Sequence, residues 1–215
     1  MSLDVQQLEL GPFPVNCYVA RRSDAKEAVV VDPGWPGESA RILAALGGAG
    51  CAAILITHGD VDHVGGVAEL AEATAAPVYM AADERERLER AGDFVPAGFE
   101  VAIRPYPPDV LLRGDETFEL AGLAFETLRV PGHTAGHLAY RSNGHLFSGD
   151  VIFAGSVGRT DRPGNSWDAL LESIRMLVER LPAETVVHPG HGPETTLGRE
   201  VETNPFLAEL RAASR

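Results

Sequence analysis

The apolar run AAILI (52–56) passes through a single Thr into HGDVDHVGG, so His58, Asp60, Asp62 and His63 arrive within six positions of a buried-type strand. Placing imidazoles and carboxylates at the end of such a strand constrains the fold strongly. Unpaired charge is costly to bury, so the strand end must open onto a place where these groups find partners. The arrangement recurs three times. His133 follows the strand-like Ala124–Val130 in VPGHTAGH, Asp150 closes LFSGD, and His191 lies in HPGHG after Thr185–Val187. Strand ends in layered folds gather along one edge, where their loops build a site.

The rest of the pattern is consistent with such layers. Val5–Leu10, Asn16–Ala20 and Ala28–Val31 read as strands, and DPGWPGES then opens a helix whose apolar face is Ile42, Leu43 and Leu46. A second helix over 64–73 carries Val67, Leu70 and Ala71, followed by a brief strand at Pro77–Met80. ADERERLERAG reads as an exposed charged helix whose i,i+4 pairs need no further role. Residues 92–115 form a long connection over the site. Strands resume at Thr117–Leu120, Ala124–Val130, Leu138–Tyr140 and His145–Ser148. Ser166 then caps a helix with Trp167, Leu170, Leu171, Ile174, Leu177, Val178 and Leu181 on one stripe. A last core strand and a short helical tail close the chain. With no repeat, low-complexity tract or linker, residues 1–215 are expected to form one domain: two sheets sharing a core, with helices outside.

Histidine and carboxylate without a nearby cysteine suit Zn, Fe or Mn. Seven donors exceed one tetrahedral ion and match two ions sharing a bridging group. Three other histidines read differently. His145, in NGHLF at a hairpin turn, is expected to be solvated. His137 is structural or supports a ligand, and for His188 a supporting role and a simple strand-end role stay open. The formal charge of −13 excludes nucleic acid and an anionic membrane surface as main partners, though a bound metal still permits a small anionic substrate. Cys17 and Cys51 sit in apolar stretches and read as buried free thiols. MSLDVQQLELG has neither the basic nor the apolar region of a signal peptide, and no run is long enough to span a membrane, so a cytoplasmic monomer or homodimer is expected.

At these residues the sequence resembles the metallo-β-lactamase superfamily, whose signature is HxHxDH after a strand, then a distant His, a bridging Asp and a final His. Within it, NCYV, PGHTAGH, LFSGDVIFAGSVGRTD and HPGHGPETTLGRE are most similar to the glyoxalase II group, the hydroxyacylglutathione hydrolases. The resemblance implies an αββα sandwich and hydrolysis of a thioester of a small acid by metal-bound hydroxide. It also implies one metal on His58, Asp60 and His133, a second on Asp62, His63 and His191, and Asp150 between them. Asp62 is then both ligand and catalytic carboxylate, and Asp32 in VVVDPG matches an acidic position of structural use.

Two departures stand out. Asp60 occupies the place of the usual second His. Either it ligates through an oxygen, which favours Fe or Mn relative to Zn, or it weakens the first metal. Only residues 192–215 follow His191, where glyoxalase II enzymes carry a helical domain that grips glutathione. The resemblance therefore covers the hydrolytic core and not that recognition. Arg159 either meets a substrate carboxylate or pairs with Asp161. Two competing readings are a mononuclear iron persulfide dioxygenase on His58, His133 and Asp150, and a non-catalytic binding protein in which Asp60 marks decay.

Overall fold

In a computed structural model, which describes residues 3–213, the strands form two mixed six-stranded sheets stacked face to face. The first contains β1 (Leu3–Leu10), β2 (Val15–Arg22), β3 (Glu27–Val31), β4 (Gly50–Leu55), β5 (Val78–Ala81) and β6 (Val110–Leu112), in that order. Its first three strands are antiparallel and the last four are parallel. Helices α1 (Ser39–Leu46), α2 (Val61–Val64), α3 (Val67–Thr74) and α4 (Arg85–Glu89) fall between those strands. The second sheet contains β7 (Thr117–Leu120), β8 (Leu123–Arg129), β9 (Leu138–Ser142) and β10 (His145–Gly149). A small hairpin, β11 (Ile152–Phe153) and β12 (Ser156–Val157), and helix α5 (Trp167–Arg180) come next. β13 (Val186–Pro189) and β14 (Thr195–Thr196) complete that sheet, in the order β14-β13-β10-β9-β8-β7, before α6 (Leu197–Thr203) and α7 (Ala208–Ala213).

The αββα sandwich follows from strands that are apolar on both faces. In β3, Val29 and Val31 turn toward the second sheet, where they join Leu55, Phe125, Tyr140 and Phe147. Ala28 and Val30 turn the other way and pack with Ile42, Val67 and Leu70 of the helices. The second sheet's outer face is covered by Leu170, Ile174 and Leu177 of α5 with Leu207 and Leu210. Fully burying a Val, Leu, Ile or Phe side chain of this kind is worth about 1.5–3 kcal/mol.

Two tyrosine hydroxyls stitch the sheets at the functional edge. Tyr18 of β2 donates to the carbonyl of Pro189 at 2.6 Å, and Tyr140 of β9 donates to that of Ile56 at 2.8 Å. Backbone bonds finish the seam. Leu138 N–H reaches Thr57 O at 2.8 Å, and Asn16 N–H reaches Gly190 O at 2.7 Å. The ends of β4, β8, β10 and β13 thus meet along one edge.

Ser166 caps α5 as expected, its Oγ accepting from Ala169 N–H at 3.2 Å. Three expectations need correction. Leu43 and Trp167 are 39% and 40% exposed, each at the margin of a helical stripe whose centre is buried. The stretch ADERERLERAG is not a solvated helix. It breaks into a 3-10 turn at Ala82–Glu84 and the five-residue α4, and it buries Glu84 and Leu88. The connection 92–115 contains β6 and does reach over the functional edge with Phe94 and Pro96. Cys17 is buried and Cys51 half-buried, both free thiols. No described helix is long and apolar enough to cross a membrane.

Candidate metal centre

The strand ends bring His58, Asp60, Asp62, His63, His133, Asp150 and His191 into one cluster. The parallel pairing of β10 and β13 puts Gly149 opposite Pro189, so Asp150 and His191 leave their strands side by side. Gly190 between them has no room for a side chain. A Cβ there would overlap Asp150 Oδ1 and press on His63.

Each of the four imidazoles is held by Nδ1, which leaves Nε2 for the centre. His63 Nδ1 lies 2.9 Å from Asp32 Oδ2. Asp32, at φ 49, keeps an uncommon backbone conformation because both its oxygens are engaged, by Thr57 N–H at 2.9 Å and Thr57 O–H at 2.7 Å. The Thr57 hydroxyl, having donated to Asp32, accepts from His58 Nδ1 at 3.0 Å. His133 Nδ1 meets the carbonyl of Arg159 at 2.8 Å, and His191 Nδ1 that of Pro14 at 3.0 Å. Partners of this kind fix the tautomer and raise the basicity of the free nitrogen.

Around the centre the donors stand close enough to share an ion. His133 Nε2 lies 3.4 Å from Asp60 Oδ2 and 3.6 Å from Asp150 Oδ2. His63 Nε2 lies 3.4 Å from Asp150 Oδ1, and His191 Nε2 lies 3.3 Å from Asp62 Oδ2 and 3.6 Å from Asp150 Oδ2. Tetrahedral ligands about 2.0–2.2 Å from a common ion stand about 3.3–3.6 Å apart. Nε2 of His58, His63 and His133 and Oδ1 of Asp150 are buried and without a protein hydrogen-bond partner, which is costly unless a cation meets them. Three donor groups emerge: His58–Asp60–His133, His58–His63–Asp150 and Asp62–His63–His191. The residues therefore fit two ions, with Asp150 turned toward both outer sets.

The electrostatics agree. Burial opposes a charge on His63, but Asp150, Asp62 and Asp32 hold its pKa well above the usual value. Burial likewise opposes ionisation of Asp150, and His63 with its neighbours overrides this and holds the carboxyl far down. His58, buried and facing other imidazoles, is pushed well below the usual value. This field favours positive charge between the carboxylates, the place a metal cation would take.

Asp60 differs from every other member. Its Oδ1 accepts from Arg87 Nη1 at 3.0 Å and its Oδ2 from Arg162 Nη1 at 2.7 Å. Burial works against its charge, but His133 and Arg162 hold its pKa at about 2. A carboxylate has lone pairs enough for two guanidiniums and an ion, so these bonds do not exclude ligation.

The remaining expectations resolve individually. His137 stacks on His58 with centroids 4.6 Å apart and its Nε2 accepts from Asp150 N–H at 3.1 Å, a supporting role for both. His188 packs against Tyr18 and Phe147 and belongs to none of the donor groups, and His145 is not simply solvated. The two share a 2.9 Å hydrogen bond between Nδ1 of His145 and Nε2 of His188. Arg159 binds Asp161 through two nitrogens at 2.7 and 2.9 Å while its side chain also lines the cavity over the cluster. Sequence reasoning missed Glu84. It is 2% exposed and accepts from Gly59 N–H at 3.1 Å and Gly136 N–H at 3.0 Å, joining the first ligand loop to the His133 loop. Arg87 and Arg162 were missed as well. The cavity they line holds about 830 Å³ and also touches Asp60, Asp62, His133, Asp150 and His191.

Residues 10–191 match the family described as the metallo-beta-lactamase superfamily. The hydroxyacylglutathione hydrolase GloC of Haemophilus influenzae is 31% identical over 95% of this chain and 98% of its own. Among solved structures, BLEG-1 B3 metallo-beta-lactamase superposes with a TM-score of 0.87 at 37% identity, over 95% of this chain and 100% of that one. TTHA1623 in a di-iron-bound form gives a TM-score of 0.82 at 42% identity, over 94% and 100%.

Proposed function

The chain belongs to the metallo-beta-lactamase superfamily as a metal-dependent hydrolase, and from that premise we propose that it hydrolyses thioesters of small acids, as in the hydroxyacylglutathione hydrolases it resembles. One observation carries the metal half of this reading: four imidazoles anchored by Nδ1, with Nε2 directed at the carboxylates of Asp62, Asp150 and Asp60. His58, Asp60 and His133 would hold one divalent ion, Asp62, His63 and His191 the other, with Asp150 between. The donors suit Zn or Fe, with Mn as the third choice. When bound, such a pair supplies activated water and Lewis acidity at neutral pH.

The protein's own residues supply the rest. Asp62 lines the cavity, and in this reading its carboxylate takes the proton that the attacking water gives up. Phe13, Phe94 and Phe153 line the cavity and would help to exclude bulk water from the thioester. The acyl–sulfur bond breaks, the acid gains the water's oxygen, and the thiolate takes a proton as it leaves. Glu84 and Asp32 keep the ligand loops in place throughout.

A second reading rests on Asp60. If the two arginines keep its oxygens from ligation, His58, His133 and Asp150 make a two-His, one-carboxylate set, which suits a single iron and oxidation of a persulfide. The test is metal content by plasma mass spectrometry on protein purified without added metal, beside Asp60→His. It is run together with turnover of S-D-lactoylglutathione and oxygen uptake with glutathione persulfide. About two metals per chain in both proteins, with thioester turnover, is the expected result. One iron, oxygen uptake and no thioester turnover would overturn the proposal in favour of the second reading.

A further inference from the structure

Asp60 joins two arginines that come from distant parts of the chain, Arg87 from α4 and Arg162 from the loop before α5. A histidine at this place offers no acceptor pair for two guanidiniums, whereas a carboxylate does. Arg87 is fixed further. Its Nε lies 3.5 Å from Glu84 Oε2, and its guanidinium carbon stands 5.1 Å from the centre of the Phe94 ring. Arg162 is held by Asp60 through one nitrogen and is otherwise 41% exposed along its side chain. A guanidinium has five donors in a planar fork, so Arg162 retains donors to offer a ligand.

The distribution of charge around the cavity gives these arginines a direction. Arg87, Arg159 and Arg162 all line it. Two of the carboxylates that balance them, Glu84 and Asp161, do not. The carboxylates that do line it, Asp60, Asp62 and Asp150, belong to the metal cluster. Phe13, Phe94 and Phe153 line it too, the Phe94 ring lying against the Arg87 guanidinium. A molecule entering therefore meets guanidiniums, aromatic rings and the cluster carboxylates together, inside a chain whose formal charge is −13.

We propose that Arg162, aligned by Asp60 and backed by Arg87, is the subsite that receives a carboxylate of the thioester substrate. The proposal deepens the thioesterase reading and rests on it for the substrate class. Asp60 then serves as a positioning residue for the fork in addition to facing the metal site. The cavity accordingly selects small acidic thiol conjugates over neutral ones. Arg159, tied to Asp161 through two nitrogens, is secondary.

The test compares wild type with Arg162→Gln and Arg162→Lys, using S-D-lactoylglutathione and its dimethyl ester, in which both carboxylates are masked. Metal content is measured on each protein. The expected result is a wild-type kcat/KM at least about tenfold higher for the acid than for the ester, a gap of about 1.4 kcal/mol. That preference collapses in Arg162→Gln, through KM, and returns in part in Arg162→Lys. Equal losses on both substrates, or an undiminished preference in Arg162→Gln, would overturn the proposal. A second arm needs no turnover: calorimetric binding of S-methylglutathione and its dimethyl ester. A preference for the acid that Arg162→Gln abolishes supports the subsite even where no thioester is hydrolysed, which would sink the thioesterase reading alone. Equal binding of acid and ester by wild type would sink the subsite.

Discussion

The two outer sets of the metal cluster match in number and differ in support. Asp62, His63 and His191 stand on one side of Asp150, with His63 tied to the buried Asp32 and, among the described residues, no arginine in the ion pairs of Asp62. His58, Asp60 and His133 stand on the other, and there the carboxylate carries two arginines. With ions bound as proposed, the first half would direct its charge to an ion alone. The second would divide its carboxylate between an ion and two arginines that line the cavity. Equal candidate ligand counts thus go with unequal surroundings, and substitutions that touch the halves unequally separate them.

The largest effect belongs to the group the halves share. Asp150 turns Oδ1 toward His63 and Oδ2 toward His133 and His191, and Gly190 leaves it just enough room. Asp150→Ala is expected to lower metal content on both sides and hydrolysis by more than the roughly 10–100-fold that follows loss of a supporting partner. Retention of two ions with near-normal turnover would show that Asp150 does not join the halves.

Asp32→Ala comes next and strikes one half only. His63 would lose the carboxylate that fixes its tautomer, and Thr57 both of its contacts to that carboxylate. One of the two ions should be bound about 10–100-fold more weakly, read by competition with a chelator. Equal weakening of both ions would mean that the Thr57–His58 bond transmits the damage, and the contrast between the halves would fail.

How far the sequence revealed these features depended on distance along the chain. The clustering of the candidate ligands was legible because each follows an apolar strand, and the sandwich was legible because those strands are apolar on both faces. Asp32 could be read from its place at the end of VVV. Glu84, Arg87 and Arg162 could not. Glu84 and Arg87 sit among alternating charges that a solvated helix would also show, and only the 3-10 turn at Ala82–Glu84 and the short α4, packing against the ligand loops, turn them inward. Arg162 lies 102 positions from the carboxylate it binds, and no local pattern encodes such a pair. A partial signal existed at Gly59 and Gly136, where an added Cβ would strike Arg87 or Glu84. A glycine's need for space names no neighbour until the fold supplies one.

Glu84→Gln sharpens the comparison by loosening the arginine half without touching a candidate ligand. Gln keeps one acceptor oxygen and turns an amide against the other N–H, so one buried donor loses its partner. The cost is about 1–3 kcal/mol, or a fall in Tm of about 2–4 °C for each kcal/mol. The drop should be accompanied by a rise in KM, since Arg87 also loses its second carboxylate. An unchanged Tm would show that Glu84 does not hold the loops.

The smallest effect lies outside both halves and sets a baseline for their pH dependence. His188 is 3% exposed, and burial, followed by the neighbouring His145, pushes its pKa down to about 3. An unfolded histidine titrates near 6.5. Its contribution is therefore complete above about pH 6.5, where neither state binds the proton. It diminishes as pH falls toward 3, because the unfolded chain takes up a proton that the folded one refuses. The slope is at most about 1.4 kcal/mol per pH unit, and about 1–2 kcal/mol should be lost by pH 5. His188→Gln should flatten the stability curve between pH 6.5 and 5 relative to wild type, with the metal cluster common to both proteins and cancelling in the difference. Parallel curves would place the acid sensitivity of the fold in the ligand histidines, whose Nε2 atoms face carboxylates, and not in this pair, whose nitrogens face each other.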